Sequence, residues 1–130
     1  MSERVDRRWG WWRVLAEGDA LTSIFKSKKR WKAKLLSIQP GKSISKQYHL
    51  KREEKWIIIQ GNGTIEIEGF EDYRGDYING DMFEVYRGQI HKITNTDEEL
   101  DTIILELQYG DETEEDDIVR LEKIDEKDGK

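Results

Sequence analysis

From Gly41 to Gly61 the chain reads G-K-S-I-S-K-Q-Y-H-L-K-R-E-E-K-W-I-I-I-Q-G, and this stretch decides the fold. Gln47 and His49 are two apart, so on a strand their side chains share a face. Glu54 stands at an odd separation from His49, and one straight strand would turn it to the opposite face. A hairpin through Leu50–Glu53 removes the conflict by letting Glu54 face the pair from a neighbouring strand. Trp56–Ile59 reads as a β-rich run buried on both faces and stopped at Gln60-Gly61. An imidazole, a carboxylate and an amide oxygen converging inside β-structure make up most of a divalent-metal site. A fourth ligand has to come from elsewhere, and the chain holds one further histidine, His91.

Composition bounds what surrounds this stretch. A chain of 130 residues is the size of one domain with a single core. The absence of cysteine excludes a disulfide framework, a thiolate metal site and a cysteine nucleophile. A net charge of −6 argues against non-specific nucleic-acid binding. No apolar run is long enough to span a membrane, and the polar N-terminus lacks a signal-peptide core, so the expected location is cytoplasmic. One proline and eleven glycines suit strands joined by tight turns.

Along the chain, Met1–Arg8 is polar and expected to fray at its start. Trp9–Leu15 reads as a first strand whose tryptophans are core or dimer contact, with an aromatic sugar platform as the other reading. Glu17-Gly18-Asp19 reads as a turn, and Phe25–Arg30 as a basic loop. Trp31–Ile38 alternates as a strand with Lys32 and Lys34 on one face. Thr64–Glu68 is a further strand, Gly69–Asn79 an irregular connection, and Met82–Tyr86 and Ile90–Ile93 strands flanking the turn Arg87-Gly88-Gln89. Asp101–Gln108 is the last strong strand, with Ile103, Leu105 and Leu107 on one face. Ile118–Ile124 reads as a short helix favoured by the carboxylates of Asp111–Asp117 at its N-terminus. Short strands with turns at this spacing mean an all-β sandwich or barrel.

These positions resemble the two motifs of a cupin, a double-stranded β-helix or jelly-roll barrel with its metal inside. Gly41, Gln47, His49, Glu54 and Gly61 match the first motif at 41–61, with glutamine in place of its first histidine. Gly80, Gly88, His91 and Asn95 match the second at 80–95, with Tyr86 in the proline slot. Further segments, R-W-G-W near the start, W-K-A-K-L-L-S-I-Q-P-G, Q-Y-H-x-x-R-x-E-x-W and E-D-D-I-V-R, resemble the cupin module of type II mannose-6-phosphate isomerases. That module occurs alone or behind a mannose-1-phosphate guanylyltransferase domain. The resemblance implies an all-β cupin over residues 1–130 as a single domain, ending in a short helical or irregular segment.

It also implies one divalent metal held by Gln47, His49, Glu54 and His91. This nitrogen–oxygen donor set suits zinc, manganese, cobalt, nickel or iron better than magnesium. The implied reaction interconverts mannose 6-phosphate and fructose 6-phosphate through an enediolate, with the metal acting as a Lewis acid. Arg52 and Arg120 match family arginines and would bind the substrate phosphate, aided by Lys32 and Lys34. Arg52, Lys51 and Arg120 are the candidate catalytic residues, and Lys51, Glu53 or Lys55 the candidate bases. Where the family reads H-H-H-R-x-E-H-W this chain reads His49 to Trp56 as H-L-K-R-E-E-K-W. That departure keeps a second class of function open, a non-catalytic cupin that binds a sugar or sugar nucleotide. The resemblance implies a homodimer, and the excess of apolar strands agrees with it. Length leaves no room for a guanylyltransferase domain.

Overall fold

The computed structural model describes residues 3–21, 28–69, 72–114 and 117–121. Eleven strands run in chain order: β1 Val5–Arg7, β2 Gly10–Leu21, β3 Lys28–Ile38, β4 Gln47–Tyr48, β5 Arg52–Gln60, β6 Gly63–Glu68, β7 Tyr73–Tyr77, β8 Met82–Val85, β9 Ile90–Asn95, β10 Thr102–Gly110 and β11 Val119–Arg120. They form a six-stranded sheet, β1-β2-β3-β10-β5-β8, and a five-stranded sheet, β11-β4-β9-β6-β7, with every paired neighbour antiparallel. This is the expected all-β, two-sheet jelly roll. Among the described residues there is no helix, and so none long and apolar enough to cross a membrane.

The glycines of the first motif are where the backbone leaves ordinary strand geometry. Gly41 (φ 75°) turns the chain after β3, and Gly61 (φ 122°) leaves β5 where a Cβ would lie 2.5 Å from Thr102 Oγ1. Gly80 and Gly88 of the second motif share the left-handed backbone (φ 89° and 80°). Asn95 is also structural: its Nδ2 donates to the carbonyls of Ile38 and Leu100, and its Oδ1 accepts from the amide of Asp97.

The inward faces of three adjacent strands change character at one level, and this positions the site. Ile104 of β10 lies opposite Leu36 of β3 and Ile58 of β5, and all three are buried. Two residues further along β10, Glu106 lies opposite Lys34 and Trp56; two further again, Gln108 lies opposite Lys32 and Glu54. The barrel therefore has an apolar half, with Ile38, Ile58, Ile65, Ile93 and Ile104 at its centre, and a polar half lined by buried charge.

Several sequence expectations are corrected. Glu17–Asp19 is not a turn but part of β2, which continues to Leu21 because it pairs with β3 as far as Lys28. Lys28–Arg30 of the expected basic loop belong to β3, and its other residues lie outside the described chain. The connection at 69–79 contains β7, paired with β6. Trp56–Ile59 is not buried on both faces: Trp56 and Ile58 point inward, while Ile59 is 51% exposed. Ile103, Leu105 and Leu107 do share a face, but it is the outer one, because Thr102, Ile104, Glu106 and Gln108 fill the interior. Val119–Arg120 is strand β11 on the edge of β4 rather than the start of a helix, and residues 122–124 lie outside the described chain.

Candidate metal centre

β4 and β9 are neighbours in the five-stranded sheet, and their register sets Gln47 opposite His91. His49 follows β4 directly. Glu54 comes from β5 in the other sheet, where it pairs across to Gln108 and Val85. The expected hairpin through Leu50–Glu53 is therefore absent. β4 pairs with β9 and β11, and β5 with β10 and β8, so the chain passes from one sheet to the other between Tyr48 and Arg52. Glu54 meets the histidines across the interior, and the crossing absorbs the odd spacing that a hairpin was invoked to explain.

Glu54 Oε2 lies 3.2 Å from His49 Nε2, and Glu54 Oε1 lies 3.8 Å from His91 Nε2. One ligating atom from each of the three residues falls within 4.8 Å of the others, and all three side chains are buried. Gln47 is buried beside them and lines the same cavity. The outer nitrogens of both rings are tied to backbone carbonyls: His49 Nδ1 donates to Asp117 O at 2.6 Å, and His91 Nδ1 to Gln89 O at 3.1 Å. A carbonyl can only accept, so each Nδ1 carries a proton, and a neutral ring keeps its lone pair on Nε2, toward Glu54. Backbone anchoring of the distal nitrogen is the arrangement that orients metal-binding imidazoles. Burial pushes His91 down to about 4, only partly opposed by the Glu54 carboxylate, so this ring is neutral and able to ligate. Glu54 is drawn to about 2; burial acts against its charge, but the attraction of His49 and of Arg52, which also donates to it, outweighs burial. The donor set and its orientation thus fit a divalent ion.

Two further donors hold Glu54. Trp56 Nε1 donates to Oε1 at 3.1 Å, and Arg52 Nε to Oε2 at 2.8 Å. Arg52 also donates from Nη1 to Glu114 O at 3.0 Å, and its Nη2 lies 3.3 Å from His49 Nε2. Expected as a phosphate fork, this buried guanidinium instead spends its donors on the metal-site carboxylate and its surroundings.

The group lies in a cavity of about 60 Å³ that Lys34, Arg52 and Arg120 also line. Lys34 is buried with its ammonium 3.9 Å from the centre of the Trp12 ring. Arg120 is exposed, on β11 opposite Gln47. Lys51 and Lys32 are not brought to this cavity. Lys51 follows the crossing at the surface, with Nζ 3.3 Å from Glu112 Oε2. Lys32 stands one layer beyond Lys34 and donates to Thr113 O at 2.9 Å. Glu53 and Lys55 alternate outward on β5 and are exposed.

Three contributors were not singled out from the sequence. Glu106 lines the cavity from the inward face of β10, where apolar alternation drew attention to the other face. Arg7 reaches it from β1, against the Trp12 ring. Asp117 closes the turn after His49: its carboxylate accepts from the amides of Leu50 and Lys51 while its carbonyl holds His49. Glu106 shares the parity of the buried Ile104 on β10; Asp117 lies in E-D-D-I-V-R, quoted above for the resemblance but given no role at this site, and nothing local marks Arg7.

Comparison with known proteins agrees with this fold. The mannose-1-phosphate guanylyltransferase ManC of Salmonella typhimurium is 26% identical over 122 residues, spanning 94% of this chain and 22% of that protein. The mannose-1-phosphate guanylyltransferase of Escherichia coli K12 is 27% identical over 117 residues (90% and 22%). The xanthan biosynthesis protein XanB of Xanthomonas campestris is 32% identical over 97 residues (72% and 19%). The chain thus spans about a fifth of the length of these relatives. Among solved structures, Lactobacillus farciminis oxalate decarboxylase superposes with a TM-score of 0.71 at 16% identity, covering 92% of this chain and 33% of that one. A double-stranded β-helix protein of Klebsiella pneumoniae gives 0.59 at 18% identity (72% and 71%); at such identities the likeness is one of fold. The family model for the mannose-6-phosphate isomerase C-terminal region matches residues 1–123, and the chain belongs to that family of cupins.

Proposed function

We propose that this protein is a metal-dependent sugar-phosphate isomerase that interconverts mannose 6-phosphate and fructose 6-phosphate. The observation that carries this reading is the convergence of His49 Nε2, His91 Nε2 and the Glu54 carboxylate in the lining of one cavity, with both Nδ1 atoms tied to backbone carbonyls. His49, Glu54, His91 and Gln47 would hold the ion, which when bound supplies a Lewis acid that stabilises negative charge developing on a sugar oxygen. A cavity of about 60 Å³ has room for a few waters, and hence for the reacting end of an open-chain sugar rather than the whole molecule. The rest of the substrate then lies in the mouth, where Arg7 and Arg120 offer planar donors to a phosphate dianion. Arg52 orients Glu54 and compensates its charge. The family description and the guanylyltransferase relatives both concern phosphorylated mannose, which supports this substrate class.

One observation favours a second reading, a cupin that binds a sugar or sugar nucleotide without turnover. The Arg52 guanidinium already supplies a positive charge among the donors, with Nη2 3.3 Å from His49 Nε2. Metal analysis of the purified protein, followed by product formation from mannose 6-phosphate in deuterated water with zinc, manganese or cobalt, separates the two. Stoichiometric metal with fructose 6-phosphate formed is expected. Ligand binding with neither product nor deuterium uptake under any metal would refute the isomerase.

A further inference from the structure

An aldose–ketose isomerisation needs a group that lifts a proton from one carbon and delivers it to the next. The motif residues that composition offers for this work are on the wrong side of the sheet. Glu53 and Lys55 point outward from β5, with Lys55 Nζ 3.7 Å from Glu84 Oε1, and Lys51 pairs with Glu112 at the surface. What lines the cavity is different. Apart from the candidate ligands, its titratable side chains are Arg7, Lys34, Arg52, Glu106 and Arg120. An arginine does not give up its proton in a protein, which removes three. The Lys34 ammonium rests on the face of Trp12, a contact that uses its positive charge. Glu106 is the one carboxyl in the lining besides Glu54.

Its setting is that of a positioned group. Glu106 is buried on β10, with Trp56 and Lys34 opposite it on either side. Gln108 Nε2 donates to Oε1 at 2.6 Å, which anchors the carboxyl group on the inward face of β10. Arg52 Nε donates to Glu54, so the two carboxylates of the cavity have different partners and are suited to different tasks. Burial and the neighbouring Glu54 charge push Glu106 up to about 7, against the pull of Lys34 and Arg52, which places it where a general base works best at neutral pH.

We propose that Glu106 is the catalytic base of this site, resting on the isomerase reading above. Its carboxylate takes the proton from C2 of the open-chain aldose. The C2–H electron pair becomes the C1–C2 double bond, and the carbonyl pair of C1 moves to O1. The carboxylic acid so formed then delivers the proton to C1. The O2–H bond breaks, its electron pair completes the C2 carbonyl, and its proton ends on O1. The carboxylate is regenerated, and no oxidant, reductant or further reactant is consumed.

The test uses the full chain loaded with one divalent metal and compares wild type with Glu106→Gln. The variant keeps the shape and an acceptor for Gln108. It is expected to retain wild-type metal content and a KM within a few-fold, while kcat falls by about 10²–10⁴ and deuterium uptake from the solvent into product is lost. Glu106→Asp should recover part of that loss, and formate should restore turnover to Glu106→Ala, where a structural role would give no rescue. An active wild type with Glu106→Gln within about fivefold of it overturns the base assignment and leaves the isomerase standing. A wild type without product or exchange overturns both. If Glu106→Gln loses its fold or its metal, Glu106→Asp and formate rescue decide: absence of both rejects the proposal.

Discussion

Removing the charge of Glu54 tests whether the buried Arg52–Glu54 pair holds the polar half of the barrel together. The side chains of Arg52 and Glu54 are each 2% exposed, and Arg52 Nε lies 2.8 Å from Glu54 Oε2. Glu54→Gln keeps the shape but leaves a guanidinium buried without its counter-charge, a class of change that costs about 3–5 kcal/mol. With an unfolding entropy of about 2.1 cal/mol/K per residue over 130 residues, this corresponds to a fall in Tm of about 11–18 °C. Arg52→Met alone strands the carboxylate and should also destabilise. The double variant Glu54→Gln/Arg52→Met removes both charges and should recover much of the loss, giving a coupling of about 2 kcal/mol or more. The assay is urea and thermal unfolding in chelator, so that bound metal does not contribute. Adding metal should then stabilise the wild type, by about 2.7 kcal/mol at a hundredfold excess over Kd, and leave both variants that carry Glu54→Gln unmoved. A Glu54→Gln protein melting within about 3 °C of wild type, or strictly additive variants, would refute the reasoning.

The metal-free protein has a worked pH signature. His91 is depressed from 6.5 to about 4, so its contribution to stability is present above 6.5 and lost as pH falls toward 4; Glu106 is raised from 4.5 to about 7, so its contribution is present below 4.5 and lost as pH rises toward 7. Between these limits the two slopes, each about 1.4 kcal/mol per pH unit, oppose one another. Urea unfolding should find the wild type nearly flat across that window and Glu106→Gln more stable as pH rises; a variant as flat as wild type would contradict it. Arg120→Lys exchanges a planar fork for a point charge, and steady-state kinetics should show KM for mannose 6-phosphate rising about tenfold with metal content unchanged; stripped metal would place Arg120 in the ligand set instead. The homodimer is expected through the outer face of the six-stranded sheet, where Ile59, Leu107 and Tyr109 are exposed. Light scattering should give twice 15.4 kDa, and Leu107→Glu a monomer; a monomeric wild type at micromolar concentration would exclude it.

What the chain determines by itself is the glycine turns of the two motifs and the ligand types. Gly41, Gly61, Gly80 and Gly88 carry the positive φ that the turns of the two motifs need, which is why these glycines could carry the resemblance to a cupin. His49 and His91 were legible because chemistry narrows the choice, the chain holding two histidines and no cysteine, and Glu54 because it matches the first cupin motif. Strand parity was legible too, and placed Lys32 and Lys34 on one face, which the structure turns inward. What parity cannot say is which face of a strand is inside. On β10 the apolar alternation of Ile103, Leu105 and Leu107 lies outside, and Glu106 and Gln108 lie within, because this half of the barrel interior is polar. Nor can it say which strands share a sheet. Only the passage from β4 to β5 across the sandwich brings Glu54 over His49 and turns Glu53 and Lys55 outward. Arg52 belongs to the same class: its motif position marked it for phosphate, but burial obliges a guanidinium to find a carboxylate, and Glu54 is the one beside it. Local sequence sets which groups a strand presents; long-range pairing sets what each of them meets.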